Sequence, residues 1–514
     1  MYKRLRKNIS NNNDAATTIN QDTKNLTKSL EKNISLFEGI LSNDQMLIVR
    51  RFQNKYLDAS KCCVLYFDGM INPDIINESI IQPILCDNLA KEISVNNLLE
   101  ELQYKVIACN NIKTSGDIYS IISSMFYGST ALLLEGYEKC LIIETKGWQT
   151  RSIGEPESAK VVRGPREGFT ESISVNLSLV RRKIRDSHLK FRFMEIGERT
   201  RTNICICYID GLALESILNE LMQRLERIKI DGIIDSGYIQ ELIKDAPFSP
   251  FETVGYSERP DVIAAKLLEG RIALFVDGSP FVLTVPFVIV ESIQANEDYY
   301  NNYIFSSINR LIRSAAAIIS VSVPALFLAI VTYHQEMLPT PLLLSISASR
   351  QGVPFPTSLS LFFMLLIFDV LREAGTRMPT PIGQAINIVG TLILGQAAVE
   401  ARLVSAPVII ITALSGITTL LNPSIIGASI VVRFFLLLSA SLLGIYGFIF
   451  GLLIIILHLM NLRSFGVPYM LNISRAKYSQ DVWIRAPWWT MTLRPQIIAA
   501  KNLVRQQPGE KKVK

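Results

Sequence analysis

Histidine is nearly missing from this chain: His188, His334 and His458 are the only three in 514 residues. No Ser/His/Asp, Cys/His or H-E-x-x-H arrangement can be assembled from them, which argues against an enzyme and leaves no catalytic residue to name. Cysteine is also sparse. Cys62, Cys63, Cys86, Cys109, Cys140, Cys205 and Cys207 make an odd set without framework spacing, which excludes a disulfide scaffold and fits a reducing compartment. Cys205 and Cys207 stand as C-x-C, but no further ligand spacing accompanies them, so they read as small buried residues on a strand, and no metal or cofactor is expected.

Charge is low as well. Lys, Arg, Asp and Glu make up 19% of the chain, against about 25% in a typical soluble domain. The net charge of +6 is uneven: residues 461–514 hold ten Lys or Arg and two acids, hence +8, so the remainder sums to −2. That distribution excludes a basic nucleic-acid-binding body and places a basic tail on a near-neutral protein. No apolar run follows the first residue; MYKRLRKNISNNN is basic and then Asn-rich, so no signal peptide is expected, and residues 1–30 are expected to be a disordered tail.

Long apolar runs are absent before residue 314 and frequent after it. Ser314–Tyr333 carries no charge in 20 residues, and Val353–Leu371, Pro381–Val399, Leu403–Leu421 and Phe434–Leu457 follow. About 20 such residues span a bilayer, and a single soluble core does not absorb five of these runs. Arg310, Arg313, Arg372, Arg377 and the basic tail flank them, which places both ends of the membrane region on the cytosolic side. Two cytosolic ends need an even number of crossings, yet five runs are counted. One run is therefore expected to be re-entrant, interfacial or joined to a neighbour, most naturally within Pro381–Ser429. Within the runs, Asp369 with Arg372 and Glu373 with Arg377 have the spacing of pairs on one helix surface.

Residues 31–310 contain an internal repeat at an offset of 142. Cys63-Val-Leu-Tyr-Phe-Asp-Gly69 matches Cys205-Ile-Cys-Tyr-Ile-Asp-Gly211, and Ala131-Leu-Leu-Leu-Glu-Gly136 matches Ala273-Leu-Phe-Val-Asp-Gly278. The acids Asp68, Glu135, Asp210 and Asp277 each precede a glycine at a strand end, so a turn role is preferred to a catalytic one. Between the copies lie the loop Gly164-Pro165-Arg166-Glu167-Gly168 and a basic helix with Arg181, Arg182, Lys183 and Arg185. A solvated or subunit-facing helix is preferred there to a phosphate site, because Walker-type spacing is lacking. The fold class is an α/β cytosolic region with two repeated α/β subdomains, followed by an α-helical polytopic membrane domain. Its divisions are a tail (1–30), a first repeat (31–150), a linker with a basic helix (151–190), a second repeat (191–310), a transmembrane domain (311–462) and a basic cytosolic tail (463–514).

The segments GPREGFTE (164–171), NLSLVRRKI (176–184), YIDG (208–211), SERPD (257–261), LLEGRIALFVDGSPFVLTVP (267–286) and EDYY (297–300) together resemble one known family. SRQGVPFP (349–356), LREAGTRMPTPIGQA (371–385), GQAAVEA (395–401) and RSFGVPY (463–469) extend the resemblance from about Asp58 to Trp489. The chain resembles the A subunits of GerA-type spore germination receptors. Gln351, where the family often has Glu, and Arg402, where a small residue is usual, depart from its pattern. The resemblance implies a multi-pass protein of the bacterial spore inner membrane, with both termini in the spore core. It implies a homo-oligomer, a pentamer in that family, conducting monovalent cations. The implied partners are a transporter-like B subunit that senses the nutrient and a lipoprotein C subunit. A non-conducting gating or scaffold subunit of a transporter-like complex is the alternative.

On that reading, Gln384, Asn387 and Thr391 follow i, i+3, i+7, and Gly395 and Ala398 continue the stripe within a face about 80° wide. Such a face suits either pore lining, with polar groups replacing an ion's water, or close helix packing. Glu400 suits either an acidic ring that attracts cations or an interfacial position.

Overall fold

The computed structural model describes residues 25–54, 61–86, 98–109, 111–147, 161–377, 393–471, 481–494, 498–499, 502 and 504–505. Apolar residues at helical spacing form α1 (Leu30–Ile40), and β-branched and aromatic runs form β1 (Leu47–Gln53) and β2 (Lys61–Phe67). The first unit continues with β3 (Ile112–Ser115), α2 (Ile118–Met125), β4 (Ser129–Leu134) and β5 (Cys140–Glu144). The second contains α3 (Ile173–Lys183), β6 (Leu189–Ile196), β7 (Thr202–Ile209), α4 (Glu215–Glu226), α5 (Ser236–Ile243), β8 (Gly255–Ser257), α6 (Pro260–Leu268), β9 (Ile272–Val276) and β10 (Val282–Val285). Each unit is a five-stranded antiparallel sheet, in the order β1-β2-β4-β5-β3 and β6-β7-β9-β10-β8.

The two sheets correspond strand for strand, and their turn hydrogen bonds repeat as well. Asp68 N donates to Met46 O at 2.9 Å, and Asp210 N to His188 O at 2.8 Å. Glu135 N to Lys61 O and Asp277 N to Asn203 O are both 3.0 Å. All four glycines after these acids have positive φ, a conformation that a Cβ disfavours, so the turn role holds. Two of the acids do more. The Glu135 carboxylate accepts from Leu30 N at 2.9 Å at the start of α1, and Asp277 accepts from Ile173 N at 3.2 Å at the start of α3. Asn33 and Asn176 receive the amides of Thr27 and Thr170, both at 2.8 Å. The basic helix placed in a linker by its sequence is therefore the first helix of the second unit, displaced by 173 − 30 = 143 positions rather than 142. The expected tail also ends earlier: Leu26 is buried and its N–H bonds Gly116 O at 2.9 Å, while residues 1–24 lie outside the described residues.

One core runs through both units. Phe37, Phe67 and Met125 of the first join Val180, Phe191 and Phe275 of the second. Cys205 and Cys207 face that shared core, whereas Ile204, Ile206 and Tyr208 face the outer layer of α4 and α5. Burial pushes both thiols up, and those of Cys62, Cys63 and Cys140 to about 12, so these are inert packing residues. Among the described residues, no group of three His, Cys, Asp or Glu could hold a metal ion.

A helical region follows, with α7 (Tyr303–Tyr333), α8 (Thr340–Arg350), α9 (Thr357–Thr376), a helical segment at 393–400, α10 (Ala406–Leu420) and α11 (Ile426–Asn461). Two stretches, Tyr303–Tyr333 and Pro423–Asn461, are long and apolar enough to cross a membrane by length and composition. The second is not one rod. At Gly444 the backbone has φ 62° and ψ −137°, and the helix folds back on itself. Gly447 lies against the Ser439 carbonyl, and a Cβ on Gly451 would sit 3.0 Å from Leu436 Cδ2. In a straight helix residues 436 and 451 would be about 22 Å apart. The run Phe434–Leu457, counted as one crossing, is thus the tip of a helical hairpin. Counted as two passes, that run alone makes the tally even, so a re-entrant segment within Pro381–Ser429 is not required. Within that region α10 is continuous from Ala406 to Leu420, and residues 381–392 lie outside the described residues.

The basic tail returns to the second unit. Its strands β11 (Arg463–Ser464) and β12 (Val467–Pro468) form a hairpin, and Phe465, Val467 and Leu471 complete the core beneath α4 and α5.

Candidate functional site

The charged residues singled out by the motifs converge where the second unit meets the foot of α7. SERPD begins α6, and Arg259 and Asp261 form a two-pronged pair at 3.1 and 2.9 Å. Arg259 also donates to Pro165 O at 2.8 Å, which seats the GPREG loop, and Gly164 lies against the ring of Tyr300, where a Cβ would come within 2.8 Å. The Tyr300 hydroxyl donates to Asp261 at 2.6 Å. Burial alone would raise Asp261, but the bonds from Arg259 and Tyr300 outweigh it and hold the carboxyl below the usual range. Glu167 binds Arg182 and Lys183, the latter at 3.0 Å, Gly168 is buried and Arg166 is exposed.

The basic cluster is engaged by the protein itself. Arg181 is wholly buried, paired with Asp44 of the first unit and set among the rings of Phe67, Phe126 and Phe191 at 4.6–4.9 Å. It fastens the two units together rather than facing solvent. Arg185 stacks on Tyr127 at 4.4 Å.

Below the loop, the EDYY turn binds the first long helix. Asp298 accepts from Arg310 at 3.1 Å and from Arg313 at 2.5 Å. Asp481, one of two acids in the basic tail, accepts from Arg310 at 2.7 Å and from the Tyr299 hydroxyl at 2.6 Å. Arg310 and Asp298 are 0% and 2% exposed, so neither charge is left to water. A cavity of about 470 Å³ adjoins this network, walled by Arg271, Glu291, Tyr300, Arg313, Asn422 and Trp488 among others. Glu291 pairs with Arg271 at 2.5 Å and Lys266 at 3.1 Å. The turn between α10 and α11 enters here, with Asn422 donating to Arg313 O at 2.9 Å and Ser424 to Ser292 O at 3.0 Å. The second unit is thus tied to two helix connections by hydrogen bonds and ion pairs.

Within the helices, Asp369 pairs with Arg372 at 3.1 Å and Glu373 with Arg377 at 2.7 Å, as their spacing indicates. Spacing does not reveal that Asp369 also holds Arg433 of α11 at 2.6 Å, or that Arg433 reaches Ser415 of α10 at 3.2 Å. Of the stripe, Gly395 lies against Ile409 of α10 and Ala398 O receives the amides of Leu403 and Val404. Gln384, Asn387 and Thr391 lie outside the described residues. Glu400 is exposed and borders an apolar groove of about 730 Å³ between α9, residues 393–400 and α10. Arg402 has φ 56°, a left-handed conformation that a Cβ disfavours, and it covers Gly352.

Sequence reasoning read Arg310 and Arg313 only as topology signals and missed Asp298 and Asp481 as their partners. An acid isolated in a tail of +8 was the available sign.

The chain matches the family described as Bacillus/Clostridium GerA spore germination protein over residues 35–497. It is 38% identical over 485 residues to spore germination protein KA of Bacillus subtilis (strain 168), covering 94% of this chain and 89% of that one. Membrane protein YfkQ of the same organism is 39% identical over 490 residues, with 94% of each chain covered. A solved structure, the N-terminal domain of the A subunit of the Bacillus megaterium spore germinant receptor GerK3, is 31% identical. It covers 51% of this chain and 95% of that one, with a TM-score of 0.41.

Proposed function

The chain belongs to the GerA family of spore germination proteins, and from that membership we propose that it is the A subunit of a nutrient-germinant receptor in the spore inner membrane. In this reading several copies form a ring around a cation path, and a transporter-like B subunit and a lipoprotein C subunit complete the receptor. α7, α9, the apolar run Pro381–Val399, α10 and the two arms of α11 make six crossings of the bilayer; each arm has about 18 residues, near the lower limit for a span. Both ends of the helical region return to the same second unit, which agrees with both termini lying in the spore core.

The observation that carries the reading is the buried ion-pair network at the foot of α7. Arg310, Asp298, Asp481 and Arg313 join the second unit, the first long helix and the tail without a flexible linker, as transfer of a conformational signal requires. Glu400 is exposed in one protomer and so is free to line a path that several copies enclose. Gly395 against Ile409 favours the alternative, a non-conducting gating or scaffold subunit, since it is a helix-packing contact.

Reconstitution of the purified chain in a lipid bilayer separates the two readings. A conducting ring whose cation flux falls with Glu400→Gln at unchanged abundance supports the channel. A chain that neither associates nor conducts supports the alternative. Thiol reagents on Asn387→Cys and Thr391→Cys are expected to block flux, and insensitivity at both positions removes them from the path.

A further inference from the structure

Two neighbouring surfaces reverse the usual placement of charge. Residues 483–493, WIRAPWWTMTL, carry three of the protein's four tryptophans and one charge. The charge, Arg485, is buried, while Trp483, Trp488 and Trp489 are 40%, 44% and 52% exposed. At the foot of α7 Arg310 and Arg313 turn into the ion-pair network, and Ile304, Ile308, Leu311 and Ile312 form an exposed stripe at i, i+4, i+7, i+8. The surfaces are joined: Trp489 meets Tyr303 edge-on at 5.7 Å, and Arg485 N donates to Ser307 Oγ at 3.2 Å.

We propose that residues 483–493 and the first three turns of α7 together form a foot that lies in the headgroup layer of a membrane leaflet bearing anionic lipid. Two observations select lipid as the occupant. The apolar stripe is continuous with the uncharged part of α7. At 31 residues that helix is about 46 Å long, whereas the hydrocarbon core needs about 30 Å, so its first turns extend into the interface. Tryptophan and tyrosine favour that layer because their rings are apolar and their N–H or O–H groups stay wet. Second, residues 494–514 carry six Lys or Arg and one Glu, a charge that matches an anionic surface.

The inference rests on the membrane reading of α7, and the test separates the two. The full chain with Trp148→Phe, whose remaining tryptophans all lie in the foot, is reconstituted in vesicles. Lipids brominated near the carbonyl or near the methyl end serve as quenchers. Flotation with the vesicles reports insertion of the helices independently of tryptophan fluorescence. The expected result is fluorescence quenched ~2-fold or more by the shallow bromine and less by the deep one, as belongs to an interfacial aromatic belt, and more strongly with anionic than with neutral lipid. A chain that floats but is not quenched overturns the foot while leaving the spans intact. Tryptophans shielded from lipid until the protein is diluted also overturn it, because a second copy then covers the surface. A chain that does not float overturns both.

Discussion

The two α/β units share a sheet order, a set of turns and a capped first helix, yet among the described residues only the second is joined to the helical region by ion pairs. At the offset of 142, the second unit's Arg259, Asp261, Lys266, Glu269 and Arg271 stand where the first has Asp117, Tyr119, Ser124, Tyr127 and Ser129. Tyr119 is 55% exposed, whereas Arg259 is 2% and Asp261 9% exposed. One scaffold thus occurs twice, and the copy next to the helices carries the charges. The difference teaches that the charge network is laid onto a fold that does not need it, since the first unit forms the same sheet without it.

The strongest way to break this comparison is to make the two units alike. Arg259→Ala leaves Asp261 buried beside Tyr300 without its partner, and removing one member of a buried pair costs about 3–5 kcal/mol. Tyr119→Ala removes an exposed ring and is expected to change stability by less than about 0.5 kcal/mol. Amide hydrogen exchange in α6 and α2 of the full-length protein measures both. Equal effects would mean that the charges add nothing particular to the second unit.

Gly444 provides the next test, because it sets the turn that brings the end of the helical region back to the second unit. Ala at φ 62° is strained, and its Cβ would come within 2.9 Å of Tyr333. A destabilisation of about 1–3 kcal/mol is expected from such a conformation. Gly427 sits in the first arm of the same helix with open space around it, so Gly427→Ala is expected to be neutral or stabilising by up to about 1 kcal/mol. Distances between spin labels on the two arms report whether the hairpin holds.

These cases also mark what a sequence can convey. The duplicated strands were legible because a buried strand ending in Asp-Gly is restricted in both its apolar and its turn positions. The first helices escaped as a pair although LTKSLEKNISL and FTESISVNLSL share Thr, Ser, Asn, Ser and Leu, because they lie one residue out of step with the offset of the strands. Gly444 was hidden for a different reason: hydropathy counts apolar residues and is blind to a reversal of direction. Asp369 with Arg372 could be read from spacing along one helix, whereas Asp369 with Arg433 depends on which helices are neighbours. The same holds for Arg310 with Asp298 and Asp481, which tertiary structure alone brings together.

Acid sharpens the contrast between the units with a smaller effect. The Asp261 carboxyl is held below its ordinary value, so its contribution is complete above about pH 4 and is lost as pH falls through the folded value. Glu269 has the opposite sign. Burial raises it, so its cost appears as pH rises from the ordinary glutamate value through the raised one. Below about pH 4 the second unit is therefore expected to lose protection before the first, and Asp261→Asn to abolish that lag. Hydrogen exchange across a pH series reads both, after correction for intrinsic exchange rates. An undiminished lag in the variant would assign it to another carboxylate.

The smallest expected effect tests what the units have in common. Glu135 and Asp277 occupy the same corner, and each accepts the first amide of its own unit's leading helix, α1 or α3. Loss of such a cap costs about 1 kcal/mol, so Glu135→Ala and Asp277→Ala are expected to weaken their own units by similar amounts. Backbone support argues for this equality, because Gly136 N and Gly278 N each donate to the strand-side carbonyl of the capped turn, Lys28 O and Glu171 O, at 2.8 Å. Both helices also face the shared core, which damps the effect of a cap equally on either side. If Asp277→Ala costs several times more than Glu135→Ala, the second unit depends on its corner in a way that the first does not. The coupling network would then extend from α6 into α3.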